Sequence, residues 1–225
     1  MTDIERSAKA AVAADTGRTE AFSDGVLAIA ITLLVLNLAV PAIRPGDLGS
    51  ALLKLWPAYV SFLASFLYIA VIWLNHHAAF RRIRSVDRLL IWANMGVLLG
   101  AVVLPFPTAV LANAFGAGNR TDEQAAVALY ASVAMFMAAT WLVFFHSLHR
   151  RSHLAHESVD PQVFKTERYR AIPGVCGYAL AGLLGVLILP AIGLALFVLL
   201  PVFYALTSEG LRRPRVVIST SERLP

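Results

Sequence analysis

The sequence is poor in cysteine and in charge. Cys176 is the single cysteine in 225 residues, which excludes a disulfide-stapled secreted domain. Asp, Glu, Lys and Arg make up 15%, against about 25% in an ordinary soluble domain. With 58% hydrophobic residues, so little charge also excludes an intrinsically disordered chain. No sustained repeat is present, so the chain is neither collagen-like nor a coiled coil. Met1–Arg18 is polar and mixed in charge, and it lacks the short apolar run of a cleavable signal peptide. The net charge is +5 and the pI about 9.7. A nucleic-acid binder would gather that basic charge into a patch or stripe. Here it falls into short clusters between apolar runs, so no nucleic acid is expected as a partner.

What is present is apolar length. The mean hydropathy is +0.69, and a bilayer core asks for roughly 20 apolar residues per helix. Four segments meet that length: Phe22–Val40, Leu52–Phe80, Leu89–Ala114 and Ala125–Leu148. A fifth stretch, Ala171–Ser208, has no charged residue. It is too long for one span, and Pro190 and Gly193 near its middle divide it into two helices. The fold class expected is all-α, a polytopic membrane protein of six transmembrane helices. Pro105 and Pro107 are expected to kink or break the third. Cys176 reads as a small packing residue in the fifth.

Six spans leave both termini on one side, and the distribution of Lys and Arg says which. The N-terminus, the Arg81–Arg88 loop, the His149–Arg170 loop and the tail carry 16 of the 19. Arg44, Lys54 and Arg120 are the other three. Both termini are therefore expected in the cytoplasm. The organisation expected is a leader over 1–17, disordered or weakly helical, a six-helix body over 18–210, and a loose cytoplasmic tail over 211–225. The Arg81-Arg82-Ile83-Arg84 run reads as the same positive-inside signal, attracted to anionic lipid head groups.

The most informative stretch is Arg18-Thr-Glu-Ala-Phe22-Ser23-Asp24, at the mouth of the first apolar segment. The second segment ends Trp73-Leu-Asn75-His76-His77. The third carries Asn94 and then Pro105-Phe106-Pro107-Thr108. These three motifs resemble the transmembrane protein 175 family of potassium channels in its prokaryotic single-repeat form. The resemblance covers the body over 18–210. It implies a homotetramer of six-helix subunits whose first helix lines a central pore. It also implies K⁺ conduction with weaker selectivity than channels that use a TVGYG filter. No re-entrant filter loop is implied, and this sequence has no TVGYG-like segment. Bulky apolar side chains on the first helix would form the constriction, at Ile29, Leu33 and Leu36. The single-repeat form implies a bacterial cell membrane.

Ile29, Leu33 and Leu36 are spaced i, i+4, i+7 and share one helix face. Four copies around an axis would stack as apolar rings, which gate by dewetting. Spacing alone equally fits a face packed on other helices or on lipid. Thr32 borders the face, and its hydroxyl either reaches the constriction or bonds back to the carbonyl of Ala28. Ser23 or Asp24 suits a helix N-cap, and a carboxylate there is favoured by the helix dipole. The sharper expectation is a polar cluster that anchors the pore helix, since polar groups at membrane depth need partners. It would join Arg18, Ser23 and Asp24 to Trp73 and His77, with Phe22 and Asn94 completing the motif set.

No catalytic residue, metal or cofactor is expected, K⁺ being the permeant ion among monovalent cations. His76 and His77 are adjacent, and neighbouring helix positions point about 100° apart, which suits no single metal. His146, His149 and His153 share a face, as do His149, His153 and His156, but Arg150 and Arg151 are interleaved and oppose a cation. An enzyme would need a nucleophile with its base; Ser23 and His77 both sit at a helix end by the membrane surface. The alternative is a secondary or proton-coupled transporter. Such a carrier places ionisable or broken-helix elements at the bilayer midplane, and none of the six segments has a charged residue at its centre.

Overall fold

The structure, a computed structural model, describes residues 3–41, 44–160 and 162–207. Among these residues the regular structure is helical, apart from one isolated antiparallel bridge between Ile83 and Ala155. The helices are α1 (Asp3–Leu33), α2 (Leu48–Lys54), α3 (Trp56–Phe80), α4 (Arg88–Val103), α5 (Pro105–Ala117), α6 (Arg120–Arg150), α7 (Gln162–Leu187) and α8 (Pro190–Thr207). By length and composition, five stretches suffice to cross a membrane: Asp15–Asn37, Trp56–Phe80, Arg88–Ala117, Arg120–Arg150 and Gln162–Leu187. The apolar helix over Pro190–Leu206 is shorter. At 1.5 Å per residue, the 18 residues of α8 reach about 27 Å, close to the ~30 Å hydrocarbon thickness.

Helix boundaries follow local chemistry. The third apolar segment is two helices, α4 and α5, that meet at Leu104. Pro105 and Pro107 lack the N–H an uninterrupted helix needs, and Pro suits the first turn of a new one. Gly118 ends α5 at φ +71°, a left-handed conformation that glycine adopts without strain. Asn119 then caps α6, its side-chain oxygen accepting from Thr121 N at 3.0 Å and Asp122 N at 3.2 Å.

Several boundaries differ from the sequence reading. The second segment does not begin at Leu52. Helix α3 starts at Trp56 with Pro57 in its first turn, and Leu52 belongs to the separate helix α2, which buries none of its residues. The fifth helix begins at Gln162 rather than Ala171, where Asp160 Oδ1 accepts from Gln162 N at 2.8 Å. Helix α1 runs from Asp3 without a break at position 17, and it tightens at Leu34–Asn37 into a 3₁₀ turn instead of continuing to Val40. The tail over 211–225 lies outside the described residues. Cys176 is exposed; the neighbouring faces of α7 carry its packing, through Gly174, Tyr178 and Gly182.

Helix α6 is the post of the bundle. It packs against α7 most extensively, and against α4, α5 and α8. Small residues allow the close crossings, as they do between membrane helices generally. A Cβ built on Gly182 would stand 2.6 Å from Ala131 Cβ, and one on Gly185 would stand 2.6 Å from Val127 Cγ1. Polar ties cross the core as well. Ser65 of α3 lies 2.6 Å from Thr108 Oγ1 of α5 and 3.0 Å from the hydroxyl of Tyr130 on α6. Helix α1 stands apart from this core and rests on α3 and α4. Only 22% of its apolar window is buried, against 50% for α3.

The Gly182 crossing has no room for a methyl group, and backbone-linked Ala131 Cβ has no rotamer with which to yield. Gly182→Ala should therefore destabilise the protein by ~1–3 kcal/mol, the usual cost of overpacking. A thermal melt in detergent reads this as a lower midpoint. The added change Ala131→Gly should recover most of the loss; no loss in the single variant would show that α6 and α7 are not this close.

Candidate functional site

Helix α1 presents two different faces. Toward the bundle it buries Ser23, Leu27, Ala30 and Leu34 almost completely, one or two turns apart along a single stripe. Away from the bundle it exposes Phe22 (56%), Ile29 (61%), Leu33 (41%) and Leu36 (73%). Gly25, Ala28 and Thr32 share the outward side. The three residues expected to form a constriction thus all lie on the side of α1 turned away from the other described residues. The Thr32 hydroxyl donates to the Ile29 carbonyl at 2.8 Å, three residues back, rather than to Ala28.

The inward face is held by polar contacts to α3 and α4. The Ser23 hydroxyl donates to the Thr19 carbonyl at 2.8 Å. Its oxygen accepts from the Asn94 amide nitrogen on α4 at 2.8 Å. That orients the amide, so Asn94 Oδ1 faces His76 Nε2 on α3 at 3.0 Å. An amide oxygen only accepts, so the His76 proton is assigned to Nε2. Ser23, His76 and Asn94 are all buried. His76 also stacks on Phe80, with ring centroids 4.4 Å apart. A second rung lies nearer the surface of the bundle. The Trp73 indole donates to Asp24 Oδ1 at 3.0 Å, and His77 Nδ1 lies 3.4 Å from Glu20 Oε1.

The expected cluster is therefore rearranged in part. Asp24 meets Trp73, and Ser23 meets Asn94. His76, rather than the expected His77, bonds to the Ser23–Asn94 contact, because adjacent side chains on a helix point to different sides. His77 faces Glu20 instead. Arg18 is exposed and has no hydrogen bond or ion pair to another described residue, and Phe22 points outward beside it. Glu20, Thr19 and His76 are the additions. A signal for Glu20 was available: it lies one turn before Asp24, as His77 lies one turn after Trp73. Antiparallel helices then match the two rungs in order.

Among the described residues, no group of three or more His, Cys, Asp and Glu could hold a metal ion. At the end of α6, His146 Nδ1 faces the Arg168 guanidinium at 3.2 Å, and that positive charge opposes a bound cation.

Asn94 is the hinge of the buried contacts, since it serves Ser23 and His76 at once. Asn94→Ala removes the acceptor of the buried His76 Nε2–H, and an orphaned buried donor costs about 1–3 kcal/mol; Ser23 loses one contact and keeps its bond to the Thr19 carbonyl. The expected result is a drop in the thermal midpoint larger than that of Trp73→Phe, which removes the more exposed rung. Equal drops would mean the buried contacts do not anchor α1.

Comparison with known proteins agrees with these motifs. The family model described as endosomal/lysosomal potassium channel TMEM175 matches residues 18–105, from Arg18 to the α4–α5 break. A potassium channel of Streptomyces collinus is 41% identical over 167 residues, covering 74% of this chain and 80% of the relative. A potassium channel of Chamaesiphon minutus is 37% identical over 166 residues, with coverage of 72% and 80%. The crystal structure of a lysosomal potassium-selective channel TMEM175 homolog from Chamaesiphon minutus superposes with a TM-score of 0.70 at 32% identity. It covers 86% of this chain and 97% of that one. With this extent of shared sequence and fold, the chain belongs to the TMEM175 family.

Proposed function

We propose that the protein is a potassium-permeable cation channel, a homotetramer whose central pore is lined by α1. The observation that carries this reading is the unpartnered outward face of α1, with Ile29, Leu33 and Leu36 all exposed in the single subunit. Four such faces turned to a common axis would cover one another and stack three apolar rings. Ile29 forms the narrowest ring, with Thr32, Leu33 and Leu36 beyond it. An apolar neck resists wetting, so an ion crosses it only by giving up hydration. K⁺ releases its water more readily than the smaller Na⁺, which favours K⁺ without a carbonyl-lined filter. The Ser23–Asn94–His76 and Asp24–Trp73 contacts lie behind α1. They hold the pore helix in register and touch no ion.

The protein spans the cell membrane several times with both termini in the cytoplasm, as the placement of 16 of its 19 Lys and Arg favours. Transport follows the electrochemical gradient of K⁺ and other monovalent cations and uses no cofactor. The names of the relatives from Streptomyces collinus and Chamaesiphon minutus support K⁺ as the permeant ion.

Purified protein in liposomes, given K⁺, Na⁺ and Cs⁺ gradients in turn, should pass K⁺ ahead of Na⁺. Ile29→Asn should reduce that preference by about tenfold, equivalent to ~1.4 kcal/mol of barrier difference, and Leu33→Ala should raise total flux. Absence of flux under every gradient, or flux only when a second solute is supplied, would overturn the channel and favour a coupled carrier.

A further inference from the structure

A second feature lies on the far side of α3 from the pore helix. A cleft opens between α3, α6, α7 and α8, with Tyr68, Asn75, Trp141, Phe145, Tyr178 and Tyr204 in its wall. Its free volume of about 70 Å³ for water-sized occupants is several times the ~10–15 Å³ that one water requires. Trp73 holds Asp24 of α1, whereas Asn75 faces the cleft. Two residues apart on a helix is about 200°, so the cleft and α1 flank opposite sides of α3.

Three observations define what would fit there. The first is the wall, which is mainly aromatic and apolar and suits an apolar body. The second is a buried donor without a partner. Trp141 is 6% exposed, and its indole N–H has no acceptor among the described residues. The half-buried Asn75 amide also makes no hydrogen bond to another described residue. A buried donor without a partner costs free energy that a ligand's acceptor recovers. The third is the charge of the lining. Glu167 and Arg170 both border the cleft and pair with each other at 3.1 Å, so neither charge stands alone to draw an ionic ligand.

We propose that this cleft binds an uncharged amphiphile dissolved in the membrane, a molecule with an apolar chain and an ester or carbonyl acceptor. The acceptor meets the donors of Trp141 and Asn75, and the chain lies among the aromatic rings. The site is separate from the pore, and its occupancy does not depend on what the pore conducts.

The test uses the full-length protein in liposomes and a monoacylglycerol whose acyl chain is brominated near the ester. Bromine quenches indole fluorescence on contact. Wild-type protein should show a saturable quenching component that Trp141→Phe abolishes. Ala138→Leu, which fills the cleft while keeping Trp141, should weaken binding at least tenfold; if that variant does not fold, Asn75→Leu serves the same purpose. The matching brominated fatty acid, tested where it is ionised, should bind at least tenfold more weakly than the ester. Quenching that rises without saturation, or is unchanged when the cleft is filled, would overturn the site. Tighter binding of the carboxylate would overturn the uncharged class. Because fluorescence is read rather than flux, failure here is distinct from failure of the channel reading.

Discussion

Within a bilayer a polar side chain finds no water, and it either bonds to protein or stays unpaired at a cost of several kcal/mol. The attachment of α1 depends on that constraint. Apolar contact alone distinguishes poorly between a neighbouring helix and lipid tails, which are equally apolar. The buried chain from Ser23 through Asn94 to His76 does distinguish them, because lipid tails offer no hydrogen bond. It sets both the rotation and the depth of α1 against α3 and α4. The Trp73–Asp24 and His77–Glu20 pairs repeat the same fixation nearer the helix end.

The rest of the bundle makes that attachment possible. Helix α6 carries α4, α5, α7 and α8, with glycines allowing its closest approaches to α7. The break at Leu104 sets α4 and α5 as two short helices, one reaching α1 and the other packing on α3. Asn37, at the end of the 3₁₀ turn, donates to the Pro105 carbonyl at 3.1 Å, so both ends of α1's apolar stretch are tied down. With its inward side occupied in this way, α1 keeps its outward face exposed. Helix α3 is the shared wall, holding α1 on one side and bordering the aromatic cleft on the other.

Much of this was legible in the residues themselves. The apolar runs are long enough to be read as spans from hydropathy alone, and the prolines mark the α4–α5 break and the start of α8. The pairing of Asp24 with Trp73 follows from depth, since α1 enters the bundle where α3 leaves it. Other features were hidden. Leu52–Lys54 reads as the start of the second span, yet it belongs to α2, and α3 begins at Trp56 with Pro57 in its first turn. The polar residues before Ala171 look like a loop, yet they form the first turns of α7. Arg18 shares the motif of Ser23 and Asp24 but faces outward with Phe22, because motif proximity does not specify rotation about the helix axis.

The sequence by itself determined the class of molecule, the approximate spans, the charge asymmetry and the face shared by Ile29, Leu33 and Leu36. These are consequences of composition and of a 3.6-residue period, and both can be counted along a chain. Only the tertiary structure decided which face of α1 is exposed, and that His76 rather than His77 enters the buried contacts. It alone placed Trp141 and Asn75 in one cleft. Rotation about each helix axis is set by contacts between residues far apart in the chain, and no local periodicity encodes them.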